Sequence, residues 1–81
     1  MIVTLRFFSV LREAFGAGVV EVELEAGTTG AELIELLAVN NEEVEKLQSV
    51  IRLAVNDDYI DPTSLLSVGD DIAVITPVSG G

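Results

Sequence analysis

Apolar and polar residues alternate in two stretches near the beginning of the chain. In "IVTLRFF", which spans residues 2–8, Val3, Leu5 and Phe7 share one face. In "VVEVELE", residues 19–25, every second residue is apolar and the residues between are mostly glutamate. A period of two predicts strands with one buried and one solvent-facing side. We therefore predict a hairpin of these two strands, with a long connection in which "SVLREAF" is compatible with a helical turn.

The hydrophobic period lengthens in the next stretch, "GTTGAELIELLAVNN". Its leucines recur at helical spacing, and Thr29 followed three residues later by Glu32 is the pattern of a capping box. Asn40 or Asn41 suits the end of this helix, because asparagine tolerates the left-handed conformation there. The following "NEEVEKLQSV" predicts a second, shorter helix.

The last part of the chain predicts three further strands. "IRLAV" and "YI" flank "NDD", which is interpreted as a tight turn because Asn and Asp tolerate turn geometry. "DPTSLLSVGD" contains Pro62 and Gly69 and is interpreted as a loop. "DIAVI" is a final strand, which Pro77 ends.

Strands at both ends with one principal helix between them are typical of an α+β domain. We predict a β-grasp (ubiquitin-like) fold with a mixed sheet of about five strands, a main helix across one face and a second short helix. The first and last strands are then parallel neighbours. A ferredoxin-type split βαβ fold is the alternative, but it needs two full-length helices. We expect the domain to span residues 1–76 and residues 77–81 to form a flexible Gly-Gly tail.

Length and hydropathy limit the class of protein. A chain of 81 residues is one domain, since single domains begin near ~50 residues. No apolar run approaches the roughly 20 residues of a membrane-spanning helix, and the first residues lack the pattern of a signal peptide. We therefore expect a cytoplasmic protein with no membrane partner.

Composition argues against most enzymatic chemistry. The chain has neither histidine nor cysteine, which removes the usual base near neutral pH, thiol nucleophiles and nearly every zinc or iron–sulfur ligand set. Carboxylate-based hydrolysis is left open, but a stand-alone enzyme is not expected. Glu21, Glu23 and Glu25 share a strand face, yet no donor from elsewhere is evident. We therefore predict a solvated strand face and no metal site.

The charge balance bears on the choice of partner. Fourteen acidic residues against four basic ones give a net charge of −10. Nucleic-acid backbones repel such a surface, so no nucleic-acid partner is expected. The acidity serves either solubility or steering towards a basic protein partner, and charge alone does not choose between these.

The ending "ITPVSGG" is either a frayed terminus or a tail whose own chain end is the reactive group. Pro77 stiffens the base of this tail, and four extended residues reach roughly 13–14 Å. Gly80 and Gly81 have no Cβ, so they fit a narrow channel. The α-carboxylate of Gly81, with an ordinary pKa of about 3.3–3.7, is ionised at neutral pH and can attack the α-phosphate of a nucleotide, giving an acyl-adenylate. The alternative is an inert terminus.

Four segments together resemble the small subunit of molybdopterin synthase, a family of ubiquitin-like sulfur carriers. They are "LRFFSVLRE", "TTGAELIELL", "AVNDDYID" and "LLSVGDDIAVITPVSGG", so the resemblance runs essentially from end to end. The Gly-Gly ending after a strand and a Pro-Val segment is its most specific part. Two positions depart from the family: Thr76 stands where a second proline is more common, and "NDD" lacks a common turn glycine.

The resemblance implies a reaction cycle centred on Gly81. A partner adenylating enzyme would use ATP to form a Gly81 acyl-adenylate, and a sulfur donor protein would convert it to a thiocarboxylate. The tail, with Gly80, would then enter the large synthase subunit and give its sulfur to a pterin, precursor Z. The chain would be a non-catalytic co-substrate without a permanently bound cofactor, which agrees with its lack of histidine and cysteine.

Partners are expected to dock beside the tail. Phe8, Tyr59 and Ile75 can form an apolar patch if the first and last strands are neighbours, and aromatic anchors usually dominate interface energy. The resemblance points to the same face. Phe8 at the edge of the core and Arg12 as a solvated helix residue are the alternatives. The predicted partner-binding residues are Phe8, Arg12, Tyr59, Ile75, Pro77, Val78 and Ser79.

Three other functions are kept open. A sulfur carrier for thiazole synthesis or for tRNA thiolation would use the same tail chemistry. A ubiquitin-like modifier would join Gly81 to lysines of target proteins. An inert interaction domain would function without Gly81.

Overall fold

A computed structural model describes residues 1–76 of the chain. The predicted tail, residues 77–81, lies outside the described residues. The elements in chain order are β1 (Ile2–Phe7), α1 (Ser9–Phe15), β2 (Val19–Glu23), α2 (Gly30–Asn40), α3 (Glu42–Leu47), β3 (Arg52–Val55), β4 (Asp58–Tyr59) and β5 (Asp71–Ile75).

The strands form one mixed sheet in the order β2-β1-β5-β3-β4. β1 and β5 are parallel neighbours, with Leu5 opposite Ile72 and Phe7 opposite Val74. The other three pairings are antiparallel. The first and last strands therefore lie side by side within the sheet, and the predicted β-grasp fold is confirmed.

The helices and one face of the sheet share a single apolar core. Every second residue of β1 and β5 is buried in it, as the alternating pattern predicted. Burying a large aliphatic or aromatic side chain contributes about 1.5–3 kcal/mol, so this set supplies most of the driving force for folding. The largest fully buried side chains are Phe7, Leu5, Leu11, Leu33, Ile72, Val3, Val44 and Val74.

The start of α2 has the capping box that its sequence predicts. The Thr29 hydroxyl oxygen accepts a hydrogen bond from the Glu32 amide at 3.2 Å, and the Glu32 carboxylate accepts one from the Thr29 amide at 2.9 Å. Two of the amides that a helix start leaves unpaired are thereby satisfied.

The end of α2 differs from the prediction. Asn41 is extended, with φ −152° and ψ 120°, and not left-handed. Its carbonyl side-chain oxygen instead accepts hydrogen bonds from the amides of Glu43 and Val44, at 2.9 and 3.4 Å. Because Asn41 caps the start of α3, it must adopt the extended backbone of an N-cap residue.

The connection between β1 and β2 is more regular than expected. "SVLREAF" forms α1, a seven-residue helix, so the domain has three helices within residues 1–76 and not two. Leu11 is the only one of its residues that is fully buried. The helix ends at Gly16, whose φ of 71° is in the left-handed region that glycine adopts without strain.

The hairpin of β3 and β4 turns at Asn56 and Asp57. Both have positive φ, 51° and 76°, as a two-residue hairpin loop requires. Asn56 also binds the neighbouring strand: its amide donates to the Asp71 carbonyl at 2.9 Å, and its side-chain oxygen accepts from the Asp71 amide at 3.2 Å. The turn therefore forms without the glycine that is common in the family.

The described helices are all short. None within residues 1–76 combines the length and the apolar character needed to cross a membrane.

Candidate functional site

The side of the sheet opposite the helices has a floor of small side chains. One row of opposed residues crosses four strands: Arg6 faces Ala73, Ala73 faces Ala54, and Ala54 faces Tyr59. Arg6 and Ala73 alternate with the buried residues of their strands. Ala54 is itself only 7% exposed, but it lines the same depression, so the row lies on this side. We call it the open face. Its two central alanines leave a depression between larger neighbours.

Phe8, Tyr59 and Ile75 line this depression together with the alanine floor. Phe8 is 50% exposed and Tyr59 is 69% exposed, so both rings offer apolar surface to a partner. The structure thus brings together three residues that the sequence placed in one patch. It also shows that Phe8 is not part of the core.

The position of Phe8 follows from the junction of β1 and α1. Its backbone is extended, with φ −129° and ψ 157°, so its side chain points away from that of the buried Phe7. Its carbonyl accepts hydrogen bonds from the amides of Leu11 and Arg12, at 3.1 and 3.3 Å. The first turn of α1 therefore fixes the backbone from which the ring projects.

A charged pair borders the depression. Arg6 Nε donates to both oxygens of the Asp71 carboxylate, at 2.8 and 3.0 Å. The hydrogen bond to Asp71 and, secondarily, the negative charge of Asp71 raise the pKa of Arg6. Both side chains are largely exposed to water, and exposed ion pairs contribute little to stability. The pair instead gives the rim of the depression a fixed polar edge.

Arg12 lies elsewhere. It lines a separate, shallow surface on α1 and the loop that follows, with Ser9, Glu13 and Gly16. Its side chain runs along Gly18, where a Cβ atom would come within 3.3 Å of Arg12 Nε. Arg12 is therefore not among the residues lining the depression, and its role in binding a partner stays a prediction.

The remaining predicted site residues are Pro77, Val78, Ser79, Gly80 and Gly81, which lie outside the described residues. β5 ends at Ile75, a residue that lines the depression. The predicted tail therefore starts two residues beyond the depression. Six residues that line the depression were not predicted as site residues: Arg6, Ala54, Asn56, Asp57, Asp71 and Ala73.

Three glutamates of the "VVEVELE" stretch lie at the surface. Glu21 and Glu23 are exposed residues of β2, and Glu25 is exposed two residues after the end of that strand. No group of three or more acidic residues within residues 1–76 is placed to hold a metal ion.

The open face combines apolar side chains with a charged edge, so it is suited to binding a protein surface.

Three comparisons relate the chain to known proteins. The sequence model of the ThiS family matches residues 5–81. The molybdopterin synthase sulfur carrier subunit of Drosophila yakuba is 36% identical over 78 residues, which cover 93% of this chain and 86% of that protein.

Two solved structures resemble the fold. The complex of subunits 1 and 2 of the molybdopterin-converting factor from Helicobacter pylori contains a chain with 27% identity and a TM-score of 0.68, with full coverage of both chains. The small archaeal modifier protein 1 of Haloferax volcanii has 20% identity and a TM-score of 0.80, covering 95% of this chain and 98% of that one. At this identity the latter shows the fold alone. Because the family match covers residues 5–81, nearly the whole sequence, the chain belongs to the ThiS family.

Proposed function

We propose that this chain is a sulfur carrier in molybdenum cofactor biosynthesis and acts as the small subunit of molybdopterin synthase. The observation that carries the proposal is the family match, which extends through Gly81. The relative from Drosophila yakuba, named as a sulfur carrier subunit of this synthase, supports it. The absence of histidine and cysteine from the sequence agrees with a carrier whose reactive group is its chain end.

The open face is proposed to dock on the large synthase subunit. The Helicobacter pylori structure is a complex of two subunits of a molybdopterin-converting factor, which supports a partner of this kind. Phe8 and Tyr59 supply exposed aromatic surface over an alanine floor. Aromatic anchors that fill a partner's pockets usually dominate the binding energy of such an interface.

The proposed chemistry takes place at Gly81. Its carboxylate oxygen attacks the α-phosphorus of ATP, held by a partner adenylating enzyme, and pyrophosphate leaves. A sulfur donor protein then supplies sulfur at the oxidation level of sulfide. The sulfur bonds to the Gly81 carbonyl carbon, and AMP leaves to give the thiocarboxylate.

Sulfur transfer completes the proposed cycle. Within the large subunit the thiocarboxylate sulfur bonds to a carbon of the pterin, precursor Z, and displaces an oxygen substituent, so that a carbon–oxygen bond breaks as the carbon–sulfur bond forms. Water then cleaves the acyl–sulfur bond, which leaves the sulfur on the pterin and regenerates the Gly81 carboxylate. Gly80 and Ser79 would lie in the narrow channel, and Pro77 and Val78 at its entrance. All catalytic side chains would belong to the partners.

A pull-down combined with a deletion tests the proposal. We expect the chain, tagged at its N-terminus and expressed in its own cells, to recover the large synthase subunit. Deleting Gly81 should abolish cofactor production while leaving that recovery intact, because docking uses the open face. Recovery of a different partner in place of the large subunit, or normal cofactor production without Gly81, would contradict the proposal.

A further inference from the structure

A second, apolar depression lies at the edge of the sheet beside the open face. It is lined mainly by Ile34 of α2, Ile51 and Leu53 around β3, and Ile60 after β4, with Arg52 at its rim. We call it the edge groove. Its volume of about 560 Å³ is in the range of pockets that bury small ligands.

The groove exists because β4 is short. β4 has two residues and pairs with Ala54 and Val55 of β3. The Ile60 amide then donates to the Leu53 carbonyl at 3.1 Å, so the pairing along this side of β3 ends before Arg52. α2 closes the groove from behind. A Cβ atom on Gly30 would lie 3.1 Å from a Leu53 methyl and 3.3 Å from an Ile60 methyl, so the lack of a side chain at Gly30 permits this close packing.

Arg52 is the one charged residue among those lining the groove. Within residues 1–76, Arg6 pairs with Asp71 and Lys46 with Glu43, but Arg52 forms no ion pair. Among the described residues its guanidinium is therefore uncommitted.

The acidic residue nearest to the groove in sequence is already engaged. The Asp61 carboxylate accepts hydrogen bonds from the amide and hydroxyl of Thr63, at 2.9 and 2.7 Å. These bonds hold the pKa of Asp61 below its usual value. Asp61 thus serves its own loop and not Arg52.

We propose that the docking partner places an aliphatic side chain in the edge groove and a neighbouring carboxylate on Arg52. The proposal rests on the proposed function, because it assigns the groove to the same partner as the open face. Tyr59 and Ile75 line both depressions, so one partner surface can cover them continuously.

Charge makes Arg52 a specificity residue in this arrangement. With a net charge of −10, the chain repels carboxylates over most of its surface. An uncommitted guanidinium beside an apolar groove is a place where a carboxylate is attracted, and arginine pairs with carboxylates through two parallel hydrogen bonds. A partner with a basic group at that position would be disfavoured.

Binding of the purified large subunit to charge variants tests the proposal. Arg52→Glu should raise the Kd about tenfold or more, since charge-assisted hydrogen bonds contribute more than neutral ones. Arg52→Lys should have a smaller effect. Arg52→Gln should weaken the dependence of Kd on salt, because one ion pair is lost. Lys46→Glu, the same charge change on the exposed side of α3, is the matched control and should stay within twofold.

The outcomes separate the two proposals. One outcome is that Arg52→Glu and Lys46→Glu have the same Kd for the large subunit while Phe8→Asp abolishes binding. In that case the open face binds the large subunit, but the partner does not use the edge groove, and the proposal for the groove is overturned. If the large subunit does not bind the unaltered chain at all, the proposed function itself fails. A large loss of affinity with Arg52→Glu and a smaller loss with Arg52→Lys support the proposal for the groove.

Amide NMR spectra test whether the edge groove binds the chain's own last residues or a second copy of the chain instead of the large subunit. We expect the signals of Ile34 and Ile60 to stay unchanged when the chain is truncated after Thr76 or concentrated, and to shift when the large subunit is added. A shift on truncation would show that the chain's own last residues occupy the groove, and a shift with concentration would show a second copy. Either result would overturn the proposal.

Discussion

Phe7 and Phe8 are consecutive in the chain but lie on opposite sides of the sheet. Phe7 is 2% exposed and stacks on Phe15 with ring centroids 4.2 Å apart, whereas Phe8 is 50% exposed and lines the open face. Because successive residues of an extended chain point to opposite faces of the sheet, two neighbouring phenylalanines have different surroundings. Phe7 stabilises the fold, and Phe8 is available to a partner.

Phe8→Asp should weaken binding of the large subunit by about thirtyfold or more, as expected for a central aromatic anchor. The free energy of unfolding should not fall, because Phe8 is half exposed and aspartate is a favourable residue at the N-cap position of α1. Titration calorimetry and chemical denaturation measure the two quantities. Val39→Asp is the matched control, since Val39 is an exposed apolar residue of α2. Equal binding by both variants would exclude Phe8 as an anchor.

Phe7→Ala, in contrast, should lower the free energy of unfolding strongly. Truncating a buried phenylalanine typically costs about 3–5 kcal/mol, and here the stacking on Phe15 is lost as well. Urea denaturation followed by circular dichroism should show the loss. A change below about 1 kcal/mol would mean that the core does not depend on this ring.

Ala73→Gln tests the alanine floor of the open face. Glutamine fills the depression between Phe8 and Tyr59 and should raise the Kd for the large subunit about tenfold or more, since core interface residues pack closely against the partner. The fold should tolerate the change because Ala73 lies on the open face, between two buried residues that face the core. Ala26→Gln, in an exposed loop, should bind normally. Unaltered binding by Ala73→Gln would show that the partner does not contact the floor.

Thr29→Ala tests the capping box of α2. Loss of the Thr29 hydroxyl should lower the free energy of unfolding by about 1 kcal/mol, whereas Thr29→Ser, which keeps the hydroxyl, should retain most of the stability. Thermal denaturation of both variants gives the comparison. Equal stability of the two would mean that the hydrogen bond to Glu32 contributes nothing measurable.

The sequence patterns predicted the fold because its elements bury one face each. Alternation identified β1 and β2, and the Thr29–Glu32 spacing identified the start of α2. α1 was underestimated because Leu11 is its only fully buried residue, so its apolar stripe is too narrow to stand out. Asn41 was assigned the wrong conformation because a local preference for the left-handed region gave way to its role as the cap of α3.

The site was only partly predictable. Phe8, Tyr59 and Ile75 could be grouped because aromatic and aliphatic residues at solvent-facing positions are conspicuous. Ala54 and Ala73 could not be predicted as site residues, because their contribution depends on the strand register that places them opposite each other. Arg12, also predicted to bind a partner, lies on α1 among residues that line a different surface.

The central claim is that Gly81 carries sulfur, and intact-mass spectrometry of the chain purified from its own cells tests it most directly. We predict a fraction whose mass exceeds that of the unmodified chain by the difference between one sulfur and one oxygen atom. This fraction should disappear when the adenylating enzyme is deleted. A chain that shows only the unmodified carboxylate in cells actively making the cofactor, or that is recovered joined to lysines of other proteins, would contradict the account.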